Sequence, residues 1–133
     1  MTRPRLLLAD DHEDLLHEVM ALLQGEFEVI GVARDGAALM NIAAHLNPDV
    51  VVTDFNMPGL NGIEASYRLL EHGLCKAVVL LTMYADRHLV DGALEAGIRG
   101  FVLKVKAGED LIPAIHSALR GETYVSSFGA SPV

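Results

Sequence analysis

Tryptophan is absent from this chain, cysteine occurs once, and aromatic residues fill only 5% of its 133 positions. Any core must therefore be built from Leu, Val, Ile and Ala. The single Cys75 excludes an internal disulfide and fits a reducing compartment, where it reads as a small residue near the start of a strand. Basic residues are scarce as well: ten Lys and Arg against eighteen Asp and Glu leave a net charge of −8. Those ten are scattered, so no basic stripe exists to neutralise phosphates, and nucleic-acid binding by this segment is not expected. Long apolar runs are missing too. After Arg3 and Arg5 only Leu6, Leu7, Leu8 and Ala9 precede two acids, which is too short for a signal peptide or a membrane span. The expected location is the cytoplasm, with no membrane partner.

Hydrophobic residues nevertheless make up 51% of the chain, far above the composition of disordered segments. The length suits one domain with a substantial core. Five short apolar runs read as buried strands: Arg5 to Ala9, Phe27 to Ala33, Val50 to Thr53, Ala77 to Leu81 and Gly100 to Leu103. Helical patterns lie between and after them. Leu15, Leu16, Val19, Leu22 and Leu23 give amphipathic spacing, as do Leu39, Ile42, Ala43 and Leu46, closed by Asn47-Pro48. Gly62 to Leu70, Asp86 to Ala96 and Asp110 to Leu119 complete five helices, with Gly97 and Gly121 at C-cap positions. Such alternation implies a five-stranded parallel sheet with right-handed crossovers and helices on both faces, an α/β doubly wound fold in the order 2-1-3-4-5. Periodicity stops after Gly121. Residues 1–125 are expected to form one domain, and 126–133 a tail or the beginning of a linker.

The most telling residue is Asp54, an isolated acid at the end of the run Val50 to Thr53, followed by Asn56-Met57-Pro58-Gly59. Strand order 2-1-3-4-5 brings Asp10 and Asp11 beside it, Thr82 to its other flank and Lys104 further along the same edge. Singly, each has a bland explanation. Asp11 would cap a helix, Asp54 would open a turn before Pro58, Thr82 would cap the fourth helix, and Lys104 would be one solvated lysine among several. Jointly they converge. Three carboxylates on one edge repel one another, and a hard divalent cation such as Mg²⁺ resolves the repulsion. Asp11 would bind it directly, Asp10 directly or through water, and Asp54 and the backbone carbonyl of Asn56 would supply further oxygens. Lys104 and Thr82 would hold phosphoryl oxygens. Asp54, ionised at neutral pH without any general base, would be the nucleophile that forms an acyl phosphate. The six histidines show no metal-binding spacing and read as surface or packing residues, with His12 near enough to the acids to influence them.

With these residues in view, the chain resembles the receiver domain of a two-component response regulator, a flavodoxin/CheY-like fold. The resemblance runs from about Arg5 to Val125. It rests on Asp10-Asp11, on Asp54 with Met57-Pro58 and Gly62, on Thr82, and on Phe101-Val102-Leu103-Lys104. It implies that Asp54 is the phosphoacceptor, that the acidic pair binds Mg²⁺, that Thr82 and Lys104 read the phosphoryl group, and that Phe101 is the switch aromatic. It also implies a sensor histidine kinase as donor and homodimer formation on phosphorylation. Leu81-Thr82-Met83-Tyr84, Ala96-Gly97-Ile98-Arg99-Gly100-Phe101 and Gly121-Glu122-Thr123-Tyr124 look most like the NarL/FixJ-type (LuxR-type) subfamily, whose members usually carry a DNA-binding helix-turn-helix and control transcription. Two positions depart from the commonest pattern. Val105 follows Lys104 where many receivers have proline, and Met83 follows Thr82 where many have Ala or Gly.

Three other readings compete. A haloacid dehalogenase-type phosphohydrolase would pair its nucleophile with an acid two residues on, where this chain has Asn56. A nucleotide- or flavin-binding flavodoxin-like module would want a Gly- or Ser/Thr-rich loop where Asp10-Asp11-His12-Glu13 would repel a phosphate. A stand-alone or degenerate receiver would act through protein–protein contacts alone. The expected protein is thus a phosphoacceptor and not an enzyme, beyond slow self-phosphorylation and self-dephosphorylation.

Overall fold

The structure is a computed structural model that describes residues 3–84 and 86–126, leaving aside the side chain of Leu60. Strand β1 (Arg5–Ala9), helix α1 (Glu13–Leu23), β2 (Glu28–Ala33), α2 (Gly36–Leu46) and β3 (Val50–Asp54) form the first half. A small antiparallel ribbon, β4 (Asn56–Met57) with β5 (Leu60–Asn61), follows and leads into α3 (Gly62–Glu71). Then come β6 (Ala77–Thr82), α4 (Arg87–Glu95), β7 (Gly100–Leu103), a 3-10 turn (Lys104–Lys106), α5 (Ala107–Leu119) and β8 (Tyr124–Val125). The main sheet is parallel throughout, in the order β2-β1-β3-β6-β7-β8.

The first five strands of that order are the doubly wound arrangement expected from the sequence. The sheet has a sixth strand, and the ribbon adds two more, against the five expected. β8 escaped sequence reading because two residues carry no periodicity. It exists because β7 offers an open edge, where Gly100 pairs with Tyr124 and Phe101 with Val125. Phe27 was expected in the second strand. Instead its N–H bonds the Leu23 carbonyl, and its side chain is buried beside the end of α1. α5 begins three residues before Asp110, because the turn after Lys104 feeds straight into it.

Alternation along the strands divides the core. Leu6, Leu8, Val50, Val52, Val79 and Leu81 pack with α1 and α5, whereas Leu7, Ala9, Val51, Val78, Leu80 and Phe101 pack with α2, α3 and α4. Both faces of each central strand are covered, as parallel sheets require. Gly97 and Gly121 adopt φ of +92° and +77° and end α4 and α5, and Asn47 ends α2 at φ +48°. The expected tail at 126–133 lies outside the described residues apart from Ser126, which is buried. Ser126 Oγ accepts from Leu103 N (3.1 Å) and donates to Asp110 Oδ2 (2.7 Å).

Candidate functional site

β1, β3, β6 and β7 run parallel, so their carboxyl ends share one edge of the sheet, the edge where open α/β folds hold ligands. Asp10 follows β1, Asp54 ends β3, Thr82 ends β6 and Lys104 follows β7. Burial is severe there: Asp10 is 1% exposed, Asp54 3% and Thr82 1%, while Asp11 stands at the rim. A cleft of about 470 Å³ opens above them, lined by Asp11, Asp54, Asn56, Thr82, Met83 and Lys104 among others.

Lys104 is the hinge of the electrostatics. Its Nζ lies 3.1 Å from Asp54 Oδ1 and 3.3 Å from Asp10 Oδ2, and its side chain is only 11% exposed. One ammonium therefore faces three carboxylates, counting Asp11. Burial raises the Asp54 carboxyl above the usual carboxylate range. The hydrogen bond from Lys104 opposes the rise, the charge of Asp10 adds to it, and a backbone hydrogen bond from Asn56 again opposes it.

Asp10 carries a second sign of unmet demand. Its Oδ1 accepts from the His12 amide at 2.9 Å, but its buried Oδ2 makes no hydrogen bond among the described residues, having only the Lys104 ion pair. Buried polar atoms without hydrogen bonds are rare, and one inside an acidic cluster suits a cation. Ligand atoms of Asp10, Asp11, His12 and Asp54 all lie within 4.8 Å of one another. The charge count agrees, because a divalent ion would balance the two negative charges left over by Lys104. These oxygen donors fit Mg²⁺.

The N-cap residue of α1 is His12, with no side-chain cap bond, so Asp11 does not cap it. Asp86 caps α4 through a bond from His88 N, so that role does not fall to Thr82. Thr82 Oγ1 accepts instead from Tyr84 N at 3.2 Å. Lys104 is largely covered and paired with two acids, not solvated. Phe101 lies inside the core at 1% exposure, behind the cleft. Val105 is 88% exposed on the 3-10 turn, and Met83 is 70% exposed on the cleft wall.

Gly62 holds the loop after Asp54 in place. Its N–H bonds the Phe55 carbonyl at 2.7 Å, and a Cβ there would meet the Asp54 carbonyl oxygen at 2.6 Å. Only glycine lets α3 start this close to the candidate nucleophile. His12, expected to lie near enough to the acids to influence them, has its Nδ1 3.2 Å from both Asp10 Oδ1 and Asp11 Oδ1. One feature escapes the sequence: Asp110 receives Tyr124 Oη and Ser126 Oγ and ties down the end of the described chain. Nothing local marked it.

Fold and edge together define a doubly wound α/β domain with an acidic, lysine-bridged ligand site. Residues 6–116 match the family model of the response regulator receiver domain, and the chain belongs to that family. It is 35% identical over 131 residues to the transcriptional regulatory protein LiaR of Bacillus subtilis, covering 97% of this chain and 62% of LiaR. It is 36% identical over 123 residues to the nitrate/nitrite response regulator NarL of Escherichia coli, covering 91% and 57%. The chain thus spans roughly three-fifths of the length of these curated relatives. Among solved structures, the non-phosphorylated receiver domain of the Escherichia coli stress response regulator RcsB matches with a TM-score of 0.86 at 27% identity, over 95% of this chain and 100% of that one. RcsB also matches, with a TM-score of 0.84, as dimers bound to DNA. Receivers of this family are signalling phosphoacceptors that take their phosphoryl group from histidine kinases and bind Mg²⁺ at an acidic pocket. No described helix is long and apolar enough to cross a membrane.

Proposed function

We propose that this chain accepts a phosphoryl group on Asp54 from a sensor histidine kinase, with Mg²⁺ held by Asp10, Asp11, Asp54 and the Asn56 carbonyl. The observation that carries the reading is the Lys104 ammonium, 3.1 Å from Asp54 Oδ1 inside a buried acid cluster with an unsatisfied oxygen. A carboxylate oxygen of Asp54 attacks phosphorus, and the P–N bond of the donor phosphohistidine breaks, its electron pair leaving on the imidazole. The product is an acyl phosphate and a free histidine. Bound Mg²⁺ supplies charge neutralisation for the phosphoryl oxygens. Lys104 turns its ammonium from the Asp54 carboxylate to a phosphoryl oxygen, and the Thr82 hydroxyl donates to another. Thr82 leaves its bond with Tyr84 N to do so, which gives the site a reason to change the loop after β6. Phe101, packed beside β6, follows that change as the switch aromatic.

No carboxylate stands two residues beyond Asp54, where Asn56 lies, so the acyl phosphate lacks a dedicated acid–base group to activate water for turnover. Slow self-phosphorylation from small donors and slow self-dephosphorylation are the only activities expected. Output follows from association. Phosphorylation favours a homodimer, first through α1 with α5 and second through the surface of α4, β7 and α5. It works in the cytoplasm, and transcription is the output through a helix-turn-helix like those of its regulator relatives, while residues 1–125 themselves bind no nucleic acid.

Incubation with acetyl phosphate and Mg²⁺ should add one acid-stable, base-labile phosphoryl group, and Asp54→Ala should add none. Equal labelling of the variant would remove Asp54 from the role. Sedimentation velocity with beryllofluoride should show the dimer, and an unchanged monomer over a wide concentration range would discard that part alone.

A further inference from the structure

The ring of His12 lies where no packing or capping role explains it. The residue opens α1 without a side-chain cap, its backbone is extended (φ −96°, ψ 111°), and its side chain is 65% exposed. Yet its N–H is fastened to Asp10 Oδ1 at 2.9 Å, which holds the ring over the acidic pair. Nδ1 then stands 3.2 Å from one carboxylate oxygen of Asp10 and 3.2 Å from one of Asp11.

That spacing has a chemical reading. Neighbouring ligands on a small dication bound at about 2.0–2.2 Å stand about 2.9–3.4 Å apart, in octahedral or tetrahedral geometry. Both oxygens lie at such separations from Nδ1. The other Asp10 oxygen, Oδ2, is buried with no hydrogen bond and only the Lys104 ion pair, in a cluster whose ligand atoms gather within 4.8 Å of one another. Mg²⁺ prefers oxygen and gains little from imidazole. Borderline first-row ions such as Co²⁺, Ni²⁺ and Zn²⁺ bind imidazole well, and nitrogen donors favour them over Mg²⁺ and Mn²⁺.

We infer that His12 Nδ1 is a further metal ligand at the acid cluster, one that makes this site prefer first-row transition dications over Mg²⁺. The inference rests on reading that cluster as a metal site. Nδ1 sits between two carboxylates, where a shared cation takes the place of the hydrogen bond. With Mg²⁺ the oxygen donors suffice, and His12 is a bystander. With Co²⁺ the ring joins the coordination sphere, so the same pocket responds to two chemically distinct ions with different ligand sets.

Titration of the intact chain with Co²⁺ and separately with Mg²⁺, by calorimetry and by the visible absorption of Co²⁺, tests this. Loss of even an indirect contact to a metal costs about 10–100-fold in affinity, so His12→Ala should weaken Co²⁺ by at least about tenfold. Mg²⁺ should change by less than about twofold, and the Co²⁺ bands should shift and weaken as water replaces nitrogen. His12→Asn, which supplies a capping side chain and lacks the imidazole, should behave alike and guards against a simple effect on α1. Unchanged Co²⁺ affinity and spectrum in both variants overturn the inference. So does a parallel fall in Mg²⁺ affinity, which would mean that His12 only positions the acids. If wild type binds neither ion, the reading of the cluster as a metal site fails with it. If wild type binds both and the variants bind both equally well, only the role of His12 fails.

Discussion

Within β1 the interior and the functional edge are one residue apart. Leu6, Leu7, Leu8 and Ala9 are wholly buried, and Asp10, the next residue, is 1% exposed. Burial is the same and the energetics are opposite. Each leucine gains from leaving water, whereas a carboxylate loses hydration that only a partner can replace. β3 repeats the contrast, from Val50, Val51 and Val52 to Asp54. Interior positions thus stabilise the sheet, and edge positions draw on that stability to hold like charges together. Lys104 alone among the described basic side chains pairs with both buried acids, which makes it the point where the two regions meet.

The largest effect is expected from the interior. Leu8→Ala should cost about 3–5 kcal/mol through lost burial and the cavity left behind, read as a lower urea midpoint with an unchanged slope. A loss below about 1 kcal/mol would mean that the strand collapses around the gap and is not the rigid support proposed for the edge.

At the edge the sign depends on metal. Lys104→Ala leaves Asp10 and Asp54 without their shared counter-charge and should cost about 3 kcal/mol in metal-free buffer. Added Mg²⁺ should then raise Tm more in the variant than in wild type, because the ion takes over the missing charge. Equal responses to Mg²⁺ in the two proteins would show that the acids do not share a cation site with the lysine.

Cys75 offers the mildest test, because it is half-buried at the margin of the core, away from the acidic edge. Burial pushes its thiol from the usual value near 9 up to about 12. The neutral form is favoured by folding, so this contribution is present below the unfolded thiol's pKa and is lost as pH rises through about 12. Iodoacetamide at pH 8 should label native protein slowly and denatured protein fast. Rapid labelling of the native state would show that the segment before β6 opens independently of the sheet.

Much of this is legible in the order of residues. The alternation of two periodicities is a local property, so the five principal strands and five helices could be read from windows of a few residues. Asp54 also announced itself, because an acid terminating a β-branched run conflicts with the run's own preference. β8 was invisible, since Tyr124–Val125 forms only because β7 leaves an edge unpaired. Asp110 gave no signal for a related reason: its partners Tyr124 and Ser126 lie 14 and 16 residues away.

The order of residues alone marks the five principal strands, the five helices and the side chains that are candidates for chemistry. Tertiary structure alone decided that Asp10 is sealed while Asp11 stands at the rim, that Lys104 bridges Asp10 and Asp54, that Thr82 accepts from Tyr84 N, and that His12 faces two carboxylates. The physical reason is range. Periodicity and propensity act between neighbours along the chain. Ion pairs across 50 and 94 residues exist only once sheet order has brought the strand ends together and burial has removed the water that would otherwise screen them.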